Sequence, residues 1–161
     1  MCRFFLRVLC LTVLVIGGGC SSATAPLWEN FSGAKAFAHV QHLVELGPRP
    51  AGSEALEESR IYIVDQLKSF GWTTTRSEFS APTPRGMMTF VNLVARFGSK
   101  KGTAQFLLCS HYDTKTFDTI RFVGANDGGS STGLLIEMAR VLAINPVLAA
   151  KVELVFFDGE E

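Results

Sequence analysis

The sequence predicts an α/β fold, a three-layer sandwich around a mixed, mostly parallel central sheet. Three observations carry that expectation. Short apolar runs such as Ala104–Cys109 and Val152–Phe157 have the length and the flanking residues of buried strands. Longer stretches between them repeat their apolar residues at helical spacing. The residues able to do chemistry gather just past the apolar runs, where open α/β sheets place their sites. At 161 residues, 47% hydrophobic and 19% charged, the chain can form one packed domain at most. A formal net charge of zero, with no basic block, gives nucleic acid nothing to hold.

Residues 1–25 read as an address, and residues 26–161 as the body. Arg3 and Arg7 supply a positive start, and the apolar stretch continuing over Val8–Ile16 is short for a membrane span. Gly17-Gly18-Gly19-Cys20-Ser21-Ser22 resembles a bacterial lipoprotein cleavage site with Cys20 as the lipidated first residue, although Gly17 replaces the usual branched aliphatic residue. Ala23-Thr24-Ala25 offers an ordinary signal-peptidase site instead. Either reading exports the protein, to the periplasm, to a lipid anchor on the membrane or to the medium. Cys2, Cys10 and Cys20 all lie in this segment, so Cys109 is left without a partner for an internal disulfide. Its place in an apolar run makes it a small core residue.

The body alternates helices and strands. Ser32 caps a helix running to about Leu46, with Phe37, Val40, Leu43, Val44 and Leu46 on or near one face. His39 and His42, three apart on it, read as a polar rim of an amphipathic helix. Gly47-Pro48-Arg49-Pro50-Ala51-Gly52 breaks the helix into a stiff loop. Ser53 caps a second helix carrying Leu56, Ile63, Val64, Leu67 and Phe70, closed by Gly71. Thr73–Ser80 and Met88–Phe97 read as a hairpin interrupted by Pro82 and Pro84. Ala104–Cys109 is a short buried strand. A helix over Gly133–Ala143 turns Leu134, Leu135, Met138 and Leu142 inward and stops before Pro146. Val152–Phe157 is the last strand.

Three stretches carry the chemistry. His111 and Asp113, two apart at a strand end, share a side of it, so they can bind one zinc together, or Asp113 can orient His111. Asp127 follows Gly124-Ala125-Asn126 and precedes two Gly at a helix start, where a short carboxylate suits a metal ligand, a helix cap or an Asx-turn. Glu160 and Glu161 are adjacent after a strand and a Gly, so one can bind a cation while the other moves protons. A solvated acidic turn is the plainer reading of the Glu pair alone. Catalytic zinc takes about three protein ligands, and His111, Asp127 and Glu161 make such a set with Glu160 spare. The chain stops at Glu161, on its own chemistry, and so reads as part of a longer domain.

In this order, Ser110-His111-Tyr112-Asp113, Gly124-Ala125-Asn126-Asp127-Gly128 and Phe156-Phe157-Asp158-Gly159-Glu160-Glu161 resemble the M28 zinc aminopeptidase clan, and within it most closely the glutaminyl-peptide cyclotransferases. The resemblance takes in Gly47-Pro48-Arg49-Pro50 and covers roughly residues 31–161, the N-terminal portion of such a domain with a phosphorylase/hydrolase-like fold. It implies Asp127 and Glu161 as zinc ligands and Glu160 as general acid/base. His111 would hold a second metal or stand beside the first, supported by Asp113. A further His ligand would lie beyond Glu161. One zinc serves a cyclotransferase acting on peptide N-termini, two serve an aminopeptidase; a monomer is expected. A third reading is an inactive exported domain of the same fold that serves in binding.

Overall fold

A computed structural model of the protein describes residues 25–98 and 104–161; Arg3, Arg7 and Cys20, on which the expected export signal rests, lie outside the described residues. After a short 3-10 turn at Leu27–Asn30 come α1 (Gly33–Leu46), α2 (Glu54–Ser69), β1 (Trp72–Thr83), β2 (Gly86–Phe97), β3 (Phe106–His111), α3 (Gly129–Leu142), α4 (Pro146–Ala149) and β4 (Val152–Phe157). Both expected caps form. Ser32 Oγ accepts from the Lys35 N–H at 3.3 Å and Ser53 Oγ from the Leu56 N–H at 3.2 Å, satisfying donors that a helix start leaves free. The hairpin is longer than expected, because Pro82 sits within β1 opposite Met87 in an edge strand, where a missing N–H is tolerated.

One mixed sheet runs in the order β1-β2-β4-β3. β4 pairs parallel with β3 and antiparallel with β2, so among the described residues parallel pairing is confined to β3 and β4. The register puts Leu93 beside Phe156, Ala95 beside Leu154, and Leu108 beside Leu154. These side chains share one face with Leu56, Ile63 and Leu67 of α2 and Leu135, Ile136 and Ala139 of α3, forming the core. Helices therefore cover one face of the sheet, two of the expected layers among the described residues.

The other face explains where side chains depart from expectation. β3 is an edge strand there, so Leu107 is 57% exposed and Cys109 is exposed too. Cys109 is thus not a core residue: its odd register turns it away from the helices, while Leu108 and Ser110 point toward them. Leu134 likewise lies outward on α3, with Ile136 and Ala139 taking the inward stripe. On α1, Phe37 is exposed and Leu43 is buried. His39 meets the Tyr62 hydroxyl at 2.6 Å and His42 stacks on the same ring, so the expected polar rim is closed onto α2.

α2 is clasped to the hairpin by Glu57, which takes Arg76 at 2.8 Å through one oxygen and Arg60 at 2.7 Å through the other. The Arg76 guanidinium, helped by Arg60 against the cost of burial, holds the Glu57 carboxyl at about 2, well below its ordinary range. A depressed carboxyl lends stability above its unfolded pKa and loses it as pH falls through the folded one. Urea midpoints of the native protein should therefore fall more steeply between about pH 5 and pH 2 than those of Glu57→Gln. Parallel curves would show that the clasp contributes nothing.

Candidate metal centre

The site forms where β3 and β4 end side by side. Parallel pairing aligns His111 with Phe157, and the Tyr112 N–H continues the ladder to the Phe157 carbonyl at 3.1 Å. The two carboxyl-terminal strand ends thus deliver His111–Asp113 and Asp158–Glu161 to the same edge. One turn later the Glu161 N–H donates to Asp113 Oδ2 at 3.1 Å, closing the two segments on each other. Gly159 makes that turn. Its φ is +77°, and a Cβ there would come within 2.5 Å of the Phe90 ring, so only Gly fits.

The third segment arrives from the start of α3. Gly128, with φ at +72°, is the helix cap, and a Cβ on it would meet the His111 ring at 3.0 Å. Asp127 is therefore free of capping duty, and its Oδ1 lies 3.2 Å from His111 Nε2. The Thr132 hydroxyl donates to the His111 carbonyl at 2.8 Å and meets Ser110 Oγ at 2.9 Å, seating the strand end on the first turn of α3.

These elements bring His111, Asp113, Asp127, Glu160 and Glu161 to one edge, and Cys20 lies outside the described residues. His111 is the hub, with Nδ1 3.3 Å from Asp113 Oδ1 and 3.8 Å from Glu160 Oε2. The Glu161 carboxyl adjoins that of Asp127. Burial and that neighbouring carboxylate push it above its ordinary range, opposed by the Lys115 ammonium at 3.5 Å. Two neighbouring carboxylates, with an imidazole on one of them, are a donor set of the types that bind zinc, and a divalent cation would relieve their repulsion. Among the described residues His111, Asp127 and Glu161 join only pairwise, and no three such donors form a single cluster able to hold a metal.

Residues without an assigned role in the sequence hold this arrangement. Arg60, 6% exposed in the middle of α2, donates from Nε to the Tyr112 hydroxyl at 2.7 Å and from Nη2 to Asp158 Oδ2 at 2.6 Å. Tyr112 lies between His111 and Asp113, and its hydroxyl donates onward to the Val91 carbonyl at 2.5 Å. Asp158 Oδ2 also accepts the Val91 N–H at 2.8 Å, and Asp158 Oδ1 is buried without a partner. Arg49, fully buried in the Gly-Pro-Arg loop, donates to the carbonyls of Leu43, Gly47, Tyr112 and Val123, so it ties α1 to the segments on both sides of the site. The signal for Arg60 was present in its position. Leu56, Arg60, Ile63 and Leu67 lie at i, i+4, i+7 and i+11, so the arginine occupies the buried stripe of α2.

Removing one member of a buried charge pair leaves the other uncompensated. Arg60→Met should therefore cost about 3–5 kcal/mol in chemical denaturation, and Tyr112→Phe about 1–3 kcal/mol. Near-neutral values for both would show that the strand ends are held by other means.

Comparison with known proteins bears on the family and the fold. The model for Peptidase family M28 matches residues 92–161. The chain is 29% identical over 148 residues to a glutaminyl-peptide cyclotransferase of Drosophila melanogaster, covering 88% of this chain and 42% of that protein. Among solved structures, glutaminyl cyclase of Porphyromonas gingivalis superposes with a TM-score of 0.75 at 32% identity, over 81% of this chain and 49% of that one. A Zn-dependent exopeptidase of Parabacteroides distasonis gives a TM-score of 0.72 at 27% identity, over 81% and 48%. The chain thus spans less than half the length of the proteins it matches. Residues 92–161 carry the pattern of peptidase family M28, on a fold that solved glutaminyl cyclases share.

Proposed function

We propose that the chain forms part of an exported, zinc-dependent glutaminyl-peptide cyclotransferase that converts the N-terminal Gln of peptides to pyroglutamate. The observation that carries this reading is the convergence of three segments on one strand end, with Asp127 Oδ1 3.2 Å and Glu160 Oε2 3.8 Å from the His111 ring and the Glu161 N–H bound to Asp113. Similarity to proteins named as cyclotransferases supports this reaction over others open to an M28 site.

Asp127 and Glu161 would hold the zinc, which supplies Lewis-acid polarisation of the substrate's γ-carboxamide carbonyl. His111 and Asp113 stand behind Asp127 and fix its direction. Glu160 is more than half exposed, so it can meet a substrate amine. It takes a proton as the α-nitrogen forms its bond to the γ-carbonyl carbon, and returns one to the amide nitrogen as that C–N bond breaks. The products are a pyroglutamyl peptide and ammonia. No water is consumed, so no hydroxide need be generated.

An aminopeptidase reading rests on His111 Nε2 lying 3.2 Å from Asp127, where an imidazole could hold a second metal. The two separate in one experiment on the full-length protein recovered after export, with an intact mass lacking residues 1–19 or 1–25. One zinc per chain and ammonia release from Gln-initiated peptides are expected. Glu160→Gln should lose turnover by about 10²- to 10⁴-fold while keeping its zinc, and Glu161→Gln should lose both. Two zincs with release of free N-terminal amino acids, and no pyroglutamyl product, would select the aminopeptidase.

A further inference from the structure

A cavity of about 340 Å³ opens beside Glu161, between the tip of the β1–β2 hairpin and the segment after β3. Its size is at the small end of ligand pockets, enough for a few atoms beyond a reacting group. Its lining is polarised. The strand ends contribute the carboxyls of Asp113 and Glu161, Pro82, Met88 and Phe90 give apolar surface, and the hairpin turn contributes Arg85.

The two cations of this cavity differ in what they face. The Lys115 ammonium lies 3.5 Å from Glu161 and so belongs to the acidic end. Among the described residues Arg85 has only Asp118 at 3.8 Å, with side chains 57% and 93% exposed. Such a surface pair is weak and easily exchanged, whereas a guanidinium can take a carboxylate through two parallel N–H bonds. A peptide whose amino end sits at Glu160, with its first side chain toward Glu161, would have this cavity open to the residues that follow.

We infer that Arg85 is a specificity residue that binds a carboxylate carried by the substrate just after its first residue. The inference rests on the proposed function for the position of the amino end. The carboxylate can be the C-terminus of a very short peptide or an acidic side chain in a longer one. The chemistry is the same, and the substrates below tell the sources apart.

The test compares KM for Gln-Ala, Gln-Ala-amide, Gln-Glu-amide and Gln-Lys-amide on the full-length protein at low salt. A carboxylate should lower KM roughly three- to tenfold against the neutral amide, and salt should erode the difference. A gain confined to Gln-Ala assigns the C-terminus, and one confined to Gln-Glu-amide assigns the side chain. Arg85→Ala should bring the four values together, and Arg85→Glu should make Gln-Lys-amide the best of them. Equal values in the native protein, or a carboxylate preference that survives Arg85→Glu, would overturn the assignment. Products report separately on the reaction: free amino acids would end the cyclotransferase reading while the KM ratios still judge Arg85. Dissociation constants from calorimetry give the same ratios if turnover is absent.

Discussion

Arg60 is the point on which the site depends. A guanidinium in the middle of α2 is buried where a leucine would be expected, and it joins the Tyr112 hydroxyl to the Asp158 carboxylate. One contact belongs to the segment leaving β3 and the other to the segment leaving β4. Burying such a pair carries a desolvation cost that well-packed apolar residues would avoid, so its value lies in direction more than in net stability. Both strand ends are fixed against one helix, and Val91 accepts from the Tyr112 hydroxyl and donates its N–H to Asp158.

That fixed frame allows an arrangement that would otherwise open. Asp127 and Glu161 set carboxylates against each other, and burial raises the cost of charge on Glu161 further. Neighbouring like charges repel and drift apart unless their backbones are held. Here Gly159 turns the chain tightly against Phe90, the Glu161 N–H is bound by Asp113, and Gly128 lets α3 start directly over His111. Arg49 adds a second buried cation behind the same loops, and burial holds its guanidinium at about 10, still a cation at neutral pH. The core beneath, centred on Leu93, Leu154 and Phe156, gives these segments a rigid base.

Much of this was legible in the residues. The caps at Ser32 and Ser53, the hairpin, the last strand and the convergence of three motifs on one edge all follow from local pattern. What local pattern could not supply was partnership. An apolar run looks the same in a central strand and an edge strand, so Cys109 and Leu107 read as buried although they face outward. The insertion of β4 between β2 and β3 depends on contacts far apart in the chain, as does the share of antiparallel pairing. Arg60 was readable as a charge on an apolar stripe, but its partners Tyr112 and Asp158 lie 52 and 98 residues away. Asp158 and Tyr112 stood inside the motifs, overshadowed by neighbours with more familiar chemistry.

The central claim is that this frame exists to make Asp127 and Glu161 share one cation. Anomalous diffraction at the zinc edge, from crystals of the full-length protein grown with zinc, tests it directly. The account predicts a single strong peak between the two carboxylates, with Glu160 outside bonding distance of it. A peak held elsewhere, or one coordinated by Glu160 in place of Glu161, would contradict it.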